Sequence, residues 1–406
     1  MGKRAHRGAE GGRNGALSRR QALVAWGFCL PFVLVFGVFM LVPLLSSMGM
    51  SFTDITSRDL RTPFNVNIVG FDNYVTLLTD PRFHKALLTT AIFVIVGLPI
   101  TIAIAMAFAV ALNKGLKHLN AFFRAVFYAP VVASVVAVSV VWRYILQDDG
   151  LLNSLLAIFG IDGPDWLHDT RFALPALMIM TIWRNMGTLM IIFLAGLQAI
   201  PTELKEAASV DGAGKWRTFA SITLPLMKPA ILLGAVLISV AYLQFFEESF
   251  VMTQGGPLDS TLSAAYYVYQ QFGFGRYGIA SAASWVLFII IAGIPDALME
   301  AARIDGAGEL RIFFQIILPQ CGPAMATLAI LTFLSSWNNF LWPLVAAQTD
   351  DMYTLPVALS LYSTGQNATN YSVLLAGAVL IITPILLLFV FLQRYFIQGV
   401  AMTGIK

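Results

Sequence analysis

Charge is what this chain has least of. Asp, Glu, Lys and Arg make up 12% of its 406 residues, where soluble domains carry about 25%. With 58% hydrophobic residues and a mean hydropathy of +0.76, the shortage excludes a soluble globular chain and requires surface that faces lipid. Cysteine is nearly absent. Cys29 lies in an apolar run and Cys321 in a polar loop, which gives neither a disulfide framework nor metal-ligand spacing. The four histidines, His6, His84, His118 and His168, are scattered and form no ligand cluster. No basic stripe with interleaved aromatics exists beyond the short N-terminal tail, so nucleic-acid binding has no support. No nucleophile, paired acid or metal set emerges either, and the chain reads as a non-enzyme.

What is present is a repeat, and repeats are settled before fold. Ile200–Ala230 reads IPTELKEAASVDGAGKWRTFASITLPLMKPA, and ninety-four residues later Ile294–Ala324 reads IPDALMEAARIDGAGELRIFFQIILPQCGPA. In register the copies share Pro201/Pro295, Glu206-Ala207-Ala208/Glu300-Ala301-Ala302, Asp211-Gly212-Ala213-Gly214/Asp305-Gly306-Ala307-Gly308, Arg217/Arg311 and Leu224-Pro225/Leu318-Pro319. Each copy is a polar island between apolar runs.

The apolar runs fall at about 22–45, 86–112, 122–146, 174–197, 231–246, 279–294, 325–345 and 373–392. Each is long enough, or nearly so, for a hydrocarbon core of about 30 Å. They predict an all-α integral membrane protein of about eight transmembrane helices. The basic Gly-rich stretch 1–21 reads as a tail. The run after it is too long for a signal peptide's apolar region and ends in no small-residue cleavage site. Residues 151–172 read as an interfacial helix and a turn. With the N-terminus inside, the inner segments hold 17 Lys and Arg and the outer ones 7, which puts both termini and both islands in the cytoplasm.

Each island suits a short helix on the cytoplasmic face. Pro201 and Pro295 fit a first turn, Glu203, Glu206 and Glu300 favour its positive end, and Asp-Gly-Ala-Gly breaks it. Ala207, Ala208, Gly212 and Gly214 leave a small-residue face that a partner groove can approach. An ordinary interfacial connection is the plainer alternative, but such a loop has no reason to recur at the same spacing. Gly212-Ala213-Gly214-Lys215 is no phosphate loop: the leading glycine is missing, Trp216 stands at the Ser/Thr position, and the second copy has Glu309 for the lysine.

The pattern EAAxxDGAxxxxxFxxIxLPxxxPA, met twice here, resembles the cytoplasmic EAA loop of ATP-binding-cassette importer permeases of the carbohydrate-uptake class. Residues 22–293, including Thr253-Gln254-Gly255-Gly256-Pro257, resemble a glycerol-3-phosphate/maltose-type permease. Residues 294–406, ending in Gln393-Arg394-Tyr395-Phe396, resemble the C-terminal half of its partner permease, so the chain reads as a fusion. The resemblance implies a type I importer fold in the plasma (inner) membrane and translocation of a sugar or sugar-like solute by alternating access. It implies cytoplasmic ATPase subunits docked on Glu206, Ala207, Ala208, Asp211, Gly212 and Gly214, and on Glu300, Ala301, Ala302, Asp305, Gly306 and Gly308. It also implies an extracytoplasmic solute-binding protein, and another permease subunit is a further possible partner beside membrane lipid. No cofactor would be bound directly, since ATP would be held by the partner subunit. A fusion remnant that docks ATPases without transporting, and a secondary transporter, are the rival readings.

Polar residues within spans are costly and are functional candidates. The fourth span carries Trp183-Arg184-Asn185, and the fifth ends in Tyr242, Gln244, Glu247 and Glu248, the two acids toward the outer end. The offset of the repeat pairs Gln244 with Asn338, flanked by Trp337 and Asn339. Aromatic rings and amides suit sugars; interhelical hydrogen bonding is the structural alternative. Arg184, Asn185, Tyr242, Gln244, Trp337, Asn338 and Asn339 are the substrate-pathway candidates.

Overall fold

Long runs of Leu, Ile, Val, Ala and Phe without a two-residue alternation can satisfy their backbone in lipid only as helices, and helices are what form. A computed structural model describes residues 30–31, 33–61, 66–114, 120–293, 335–364 and 370–403. Among these there is no strand, only one isolated antiparallel bridge between Thr53 and Ile68. The second island, with Glu300, Ala301, Ala302, Asp305, Gly306 and Gly308, lies outside the described residues, as do 325–334 of the seventh predicted span.

Two compact units are distinguished, Met1–Thr79 with Gln270–Val286, and Asp80–Tyr269 with Leu287–Lys406. In the first, α1 (Val33–Met50) is apolar along its length and is followed by a knot of local hydrogen bonds before α2 (Asp72–Thr79). Asn73 donates to the carbonyls of Ser51 and Thr53 at 2.9 and 2.8 Å. The Tyr74 hydroxyl donates to Ser51 Oγ at 2.8 Å, and Phe52, Phe71 and Tyr74 form a ring cluster.

The second unit is built on α3 (Pro81–Lys114), which packs more extensively on α7 (Ala173–Ala199) than any other pair does. Between them in the chain come α4 (Asn120–Val132), α5 (Val135–Ile145) and α6 (Leu151–Ile158). After α7 follow α8 (Thr202–Val210), α9 (Lys215–Leu226), which has a π-turn at its centre, and α10 (Lys228–Leu243). The remaining helices are α11 (Ala264–Gly273), α12 (Tyr277–Ala292), α13 (Leu341–Ala346), α14 (Leu355–Thr364) and α15 (Tyr371–Thr403). Apart from Arg184 and Asn185, helix α7 is almost wholly apolar until its last turn, the pattern of a largely buried helix. It buries Leu177, Met180, Leu189, Met190 and Phe193 completely or nearly so.

Three of these helices, Val33–Met50, Pro81–Asn113 and Ala173–Ala199, are long and apolar enough to cross a membrane, and two bent pairs raise the number to five among the described residues. One bent pair departs from the sequence expectation. Residues 122–146 read as a single span, but Val126–Val132 and Val135–Ile145 meet at 112°. Pro130 lies inside α4, where it removes a backbone donor, and Ser134 adopts φ −58°, ψ 131° between the helices. The other pair, Lys215–Leu226 and Lys228–Leu243, bends by 65°. Residues 151–172 form a helix with no buried residue and then a turn, as the sequence suggests.

Glycine sets the closest helix approach. A Cβ at Gly187 of α7 would collide with the Phe127 carbonyl oxygen of α4 and lie 2.9 Å from Val131 Cγ2, and backbone cannot step aside as a side chain can. Small residues at such crossings are what lets membrane helices pack closely. At the end away from the polar island, the loop after Thr253 is strapped to the first turns of α3. Arg82 donates from Nε and Nη2 to the two oxygens of Asp259, both at 3.0 Å. Lys85 donates to the Leu258 carbonyl, and the Tyr267 hydroxyl donates to Asp80 at 2.6 Å. Gln254, Leu258 and Asp259 all have positive φ, at 53°, 50° and 58°, a region that costs non-glycine residues free energy unless contacts hold them there.

Two outcomes follow. Gly187→Ala lowers unfolding stability by about 1–3 kcal/mol, the usual penalty of overpacking, seen as a lower thermal midpoint in detergent; an unchanged midpoint contradicts the contact. The Arg82 hydrogen bond holds the Asp259 carboxyl below its ordinary 3.8. Its contribution is therefore complete above that value and disappears as pH falls through the lowered one. A spin label on Leu258→Cys, with Cys29 and Cys321 replaced by serine, is immobile at neutral pH and loosens only below about 3.8. In Asp259→Asn it is loose at every pH. Equal mobility in both proteins at pH 7 sinks the strap.

Candidate functional site

The polar island at Ile200–Ala230 begins where α7 ends. Ile200 leaves the helix at φ −75°, ψ 120°, and Pro201, at φ −54°, ψ 134°, is the N-cap of α8. Proline thus sits one residue ahead of the first turn expected for it, where its fixed φ still suits the entry. Glu203 occupies the first turn, beside the positive end of the helix dipole.

The end of α8 explains why Asp-Gly-Ala is required. The Gly212 N–H donates to the Ser209 carbonyl at 3.1 Å, and the Ala213 N–H to the Ala208 carbonyl at 2.9 Å. Gly212 has φ +76°. This is the Schellman arrangement, in which a left-handed residue just past the helix lets two N–H groups turn back onto the last free carbonyls. Gly214 then adopts φ −66°, ψ 163° as the N-cap of α9, and its carbonyl accepts from the Thr218 N–H at 2.9 Å. Two short helices joined by a tight turn result.

Glu206, Ala207, Asp211, Gly212 and Gly214 are all exposed. Ala208, expected on the same small-residue face, is 7% exposed and turned inward. Neither Gly212 nor Gly214 has an atom within 4 Å of a built Cβ. The face is open, and only Gly212 is held to glycine by its backbone.

The pathway candidates divide into two sets. Tyr242 is buried, with its hydroxyl 2.7 Å from Thr101 Oγ1 on α3, and Asn185 donates to the Thr181 carbonyl at 3.0 Å. Arg184 lies in the same helix as Asn185, and no ion pair to Glu247 or Glu248 is found among the described residues. Arg184 Nε and Glu248 Oε2 are buried atoms without a hydrogen-bond partner. Glu248, which the sequence puts toward the outer end of its span, is 5% exposed.

The second set is organised by the repeat. Helix α10 ends at Leu243, Gln244 to Phe246 are non-helical, and helix resumes at Glu247. Ninety-four residues on, helix ends at Trp337, Asn338 to Phe340 are non-helical, and helix resumes at Leu341. The two breaks are therefore equivalent in sequence and in structure. Phe246 and Phe340, which correspond under the same offset, pack together with ring centroids 6.2 Å apart, and Phe250 lies 5.8 Å from Phe340. The offset alone could have named this contact, but the aromatic pair carried no polar signal and was passed over.

At each break an amide meets a freed carbonyl. Gln244 donates back to the Val240 carbonyl at 3.2 Å. Asn338 donates to the Val132 carbonyl at 3.3 Å, at the end of bent helix α4, and its Oδ1 has no partner. Trp337 donates to the Ile381 carbonyl of α15 at 3.2 Å. Gln244 and Asn339 are exposed, whereas Trp337 and Asn338 are half-buried. Interhelical bonding thus accounts for Trp337 and for one half of the Asn338 amide, and leaves the buried Asn338 oxygen without a partner.

Comparison with known proteins agrees with this arrangement. The family described as binding-protein-dependent transport system inner membrane component matches residues 78–294 and again 276–402. A probable ABC transporter permease protein of Bacillus subtilis (strain 168) is 35% identical over 301 residues, 73% of this chain and 95% of that protein. The lactose transport system permease of Rhizobium radiobacter is 35% identical over 294 residues, 71% and 97% of the two chains. An arabinooligosaccharide transport system permease of Halalkalibacterium halodurans is 54% identical over 114 residues, 28% of this chain but only 40% of its own length. A bacterial ABC transporter that imports the acidic polysaccharide alginate shares the fold at TM-score 0.59 and 24% identity, covering 72% of this chain and all of its own. A bacterial alginate ABC transporter in complex with an alginate pentasaccharide-bound periplasmic protein shares the fold at TM-score 0.57 and 23% identity, covering 71% of this chain and 98% of its own. The chain belongs to the binding-protein-dependent transport system inner membrane component family and is a multi-pass membrane permease subunit of an ATP-binding-cassette importer.

Proposed function

We propose that this permease carries a sugar or sugar-like solute, and that two further subunits work on it. The observation that supports a sugar most strongly is the full-length match, at 35% identity, to a permease named for lactose transport. Solute would be delivered by an extracytoplasmic binding protein and would cross between the equivalent breaks at Gln244 and Asn338. Ring faces there cover apolar sugar surfaces, and the amide groups hydrogen-bond hydroxyls. Arg184, Asn185 and Tyr242 line the approach and Trp337 and Asn339 flank Asn338.

ATP hydrolysis would reside on separate cytoplasmic subunits, with no cofactor held by this chain. Each ATPase would dock on an island, through Glu206, Ala207, Ala208, Asp211, Gly212 and Gly214 in the first. In the second the residues would be Glu300, Ala301, Ala302, Asp305, Gly306 and Gly308. Closure of the ATPases would draw the islands together and open the cavity outward. This scheme needs about eight spans with both termini in the cytoplasm. It divides the chain into a tail (1–21), a first permease-like domain (22–293) and the second half of another (294–406).

A second reading has one observation in its favour. The 54% match takes in only 40% of its relative, as expected if part of a partner permease has been joined to a whole one. Such a chain could dock ATPases and yet enclose no pathway unless an intact permease completes it.

The docking proposal is tested by recovering the cognate ATPase on membrane-expressed protein. Gly212→Asp with Gly306→Asp abolishes recovery. Gly214→Ala, at a backbone conformation any residue adopts, preserves helix content but weakens recovery by closing the small-residue face. Gly212→Ala costs about 1 kcal/mol of local stability through its left-handed backbone. If the wild type never recovers an ATPase, the islands are relics and the transport reading fails with them.

A further inference from the structure

Helix α3 carries Ile102, Met106 and Val110 four residues apart, a spacing that lines them along one face over about 12 Å. Ala103 and Ala107 beside them are exposed and add no bulk. Facing this stripe across a cleft of about 690 Å³ are Phe219 and Leu224 of α9 and Ile231 of α10. The walls belong to α3, which is long and apolar enough to cross a membrane, and to the bent pair α9 and α10, which places the cleft beside the hydrocarbon layer.

One end of the cleft has the opposite character. Lys215 and Trp216 stand at its rim, with Trp216 78% exposed and its ring 5.8 Å from that of Phe219. Lys215, Val110 and Phe219 also line an adjoining cavity of about 230 Å³, together with Lys205 and Asn113. An apolar slot therefore runs into a smaller pocket that, among the described residues, bears two lysines and no carboxylate, with an indole at the boundary.

We propose that this composite cavity binds one anionic phospholipid, with an acyl chain in the cleft and the phosphate between Lys215 and Lys205. Three features carry the assignment. A groove in the hydrocarbon layer is filled by what the bilayer supplies. Tryptophan settles at headgroup depth, which matches its place between slot and pocket. Basic pockets between membrane helices on the cytoplasmic side select acidic headgroups, and lysine reaches such a position with its stem along apolar surface. Lys215 opens α9 directly after the turn at Gly212, so the headgroup would pin that helix at the membrane surface. A second copy of the chain fits less well, since it would have to cover both lysines without a counter-charge.

The test uses the full chain, purified in detergent without other subunits, and native mass spectrometry with phosphatidylglycerol or phosphatidylcholine of identical acyl chains. Phosphatidylglycerol is retained in preference. Lys215→Gln and Lys205→Gln each weaken its retention about fivefold, the factor expected per basic residue at a membrane surface, and leave phosphatidylcholine unaffected. Ala103→Phe with Ala107→Phe, on an exposed helix face that tolerates bulk, fills the slot and abolishes retention of both. Equal retention of the two lipids by the wild type overturns the proposal, as does unchanged phosphatidylglycerol retention in the lysine variants. So does efficient disulfide cross-linking of Ala103→Cys chains to one another in vesicles, which would make a second copy the occupant.

Discussion

A backbone that leaves its helix inside an apolar layer must find another partner for every N–H and C=O it frees. Each unsatisfied group there costs several kcal/mol, and this chain leaves helix inside its apolar runs in at least three places. The bend after Val132 is met by the Asn338 amide. The break after Leu243 is met in part by Gln244 turning back on Val240. The break after Trp337 repeats the second one residue for residue. The polar residues that a sequence reader marks as expensive are thus positioned by the breaks themselves. Broken helices are also where membrane transporters bind their solutes, because only there does a span present polar groups that can be shared with a ligand.

The docking island obeys the same rule at the membrane surface. Its helix is short, so its capping matters more than its propensity. The Schellman turn uses Gly212, and the next residue, Ala213, turns back over Ala208. What stays exposed is the remainder: an acidic first turn, Ala207 and an open glycine. The residues of the turn therefore divide into those that fold it and those that leave an open face, on which the proposed docking rests. The 7% exposure of Ala208 separates the first kind from the second.

Much of this was legible in the residues. The helical class, the approximate spans and the repeat follow from hydropathy and spacing, and the EAA pattern brought the family with it. The bend at Val132 was missed because Pro130 inside an apolar run is compatible with either a kinked or a continuous span. The burial of Glu248 has no local signature, since a lone acid at the end of an apolar run reads equally as an interfacial residue. The strap between Arg82 and Asp259 spans 177 residues and has no local signature at all. The pairing of Phe246 with Phe340 is implicit in the offset of the repeat, but two aromatics in apolar runs carry no polar signal that would single them out.

The central claim is that the two equivalent breaks face each other and that solute passes between them. It is tested most directly by Phe246→Cys with Phe340→Cys, in a chain whose Cys29 and Cys321 are serine, reconstituted with its ATPase and binding protein. The account predicts a cross-link with a short, reducible bis-thiol reagent, loss of ATP-driven solute uptake while the bond stands, and recovery on reduction. A chain that forms no cross-link, or one that transports equally well with the bond in place, contradicts it.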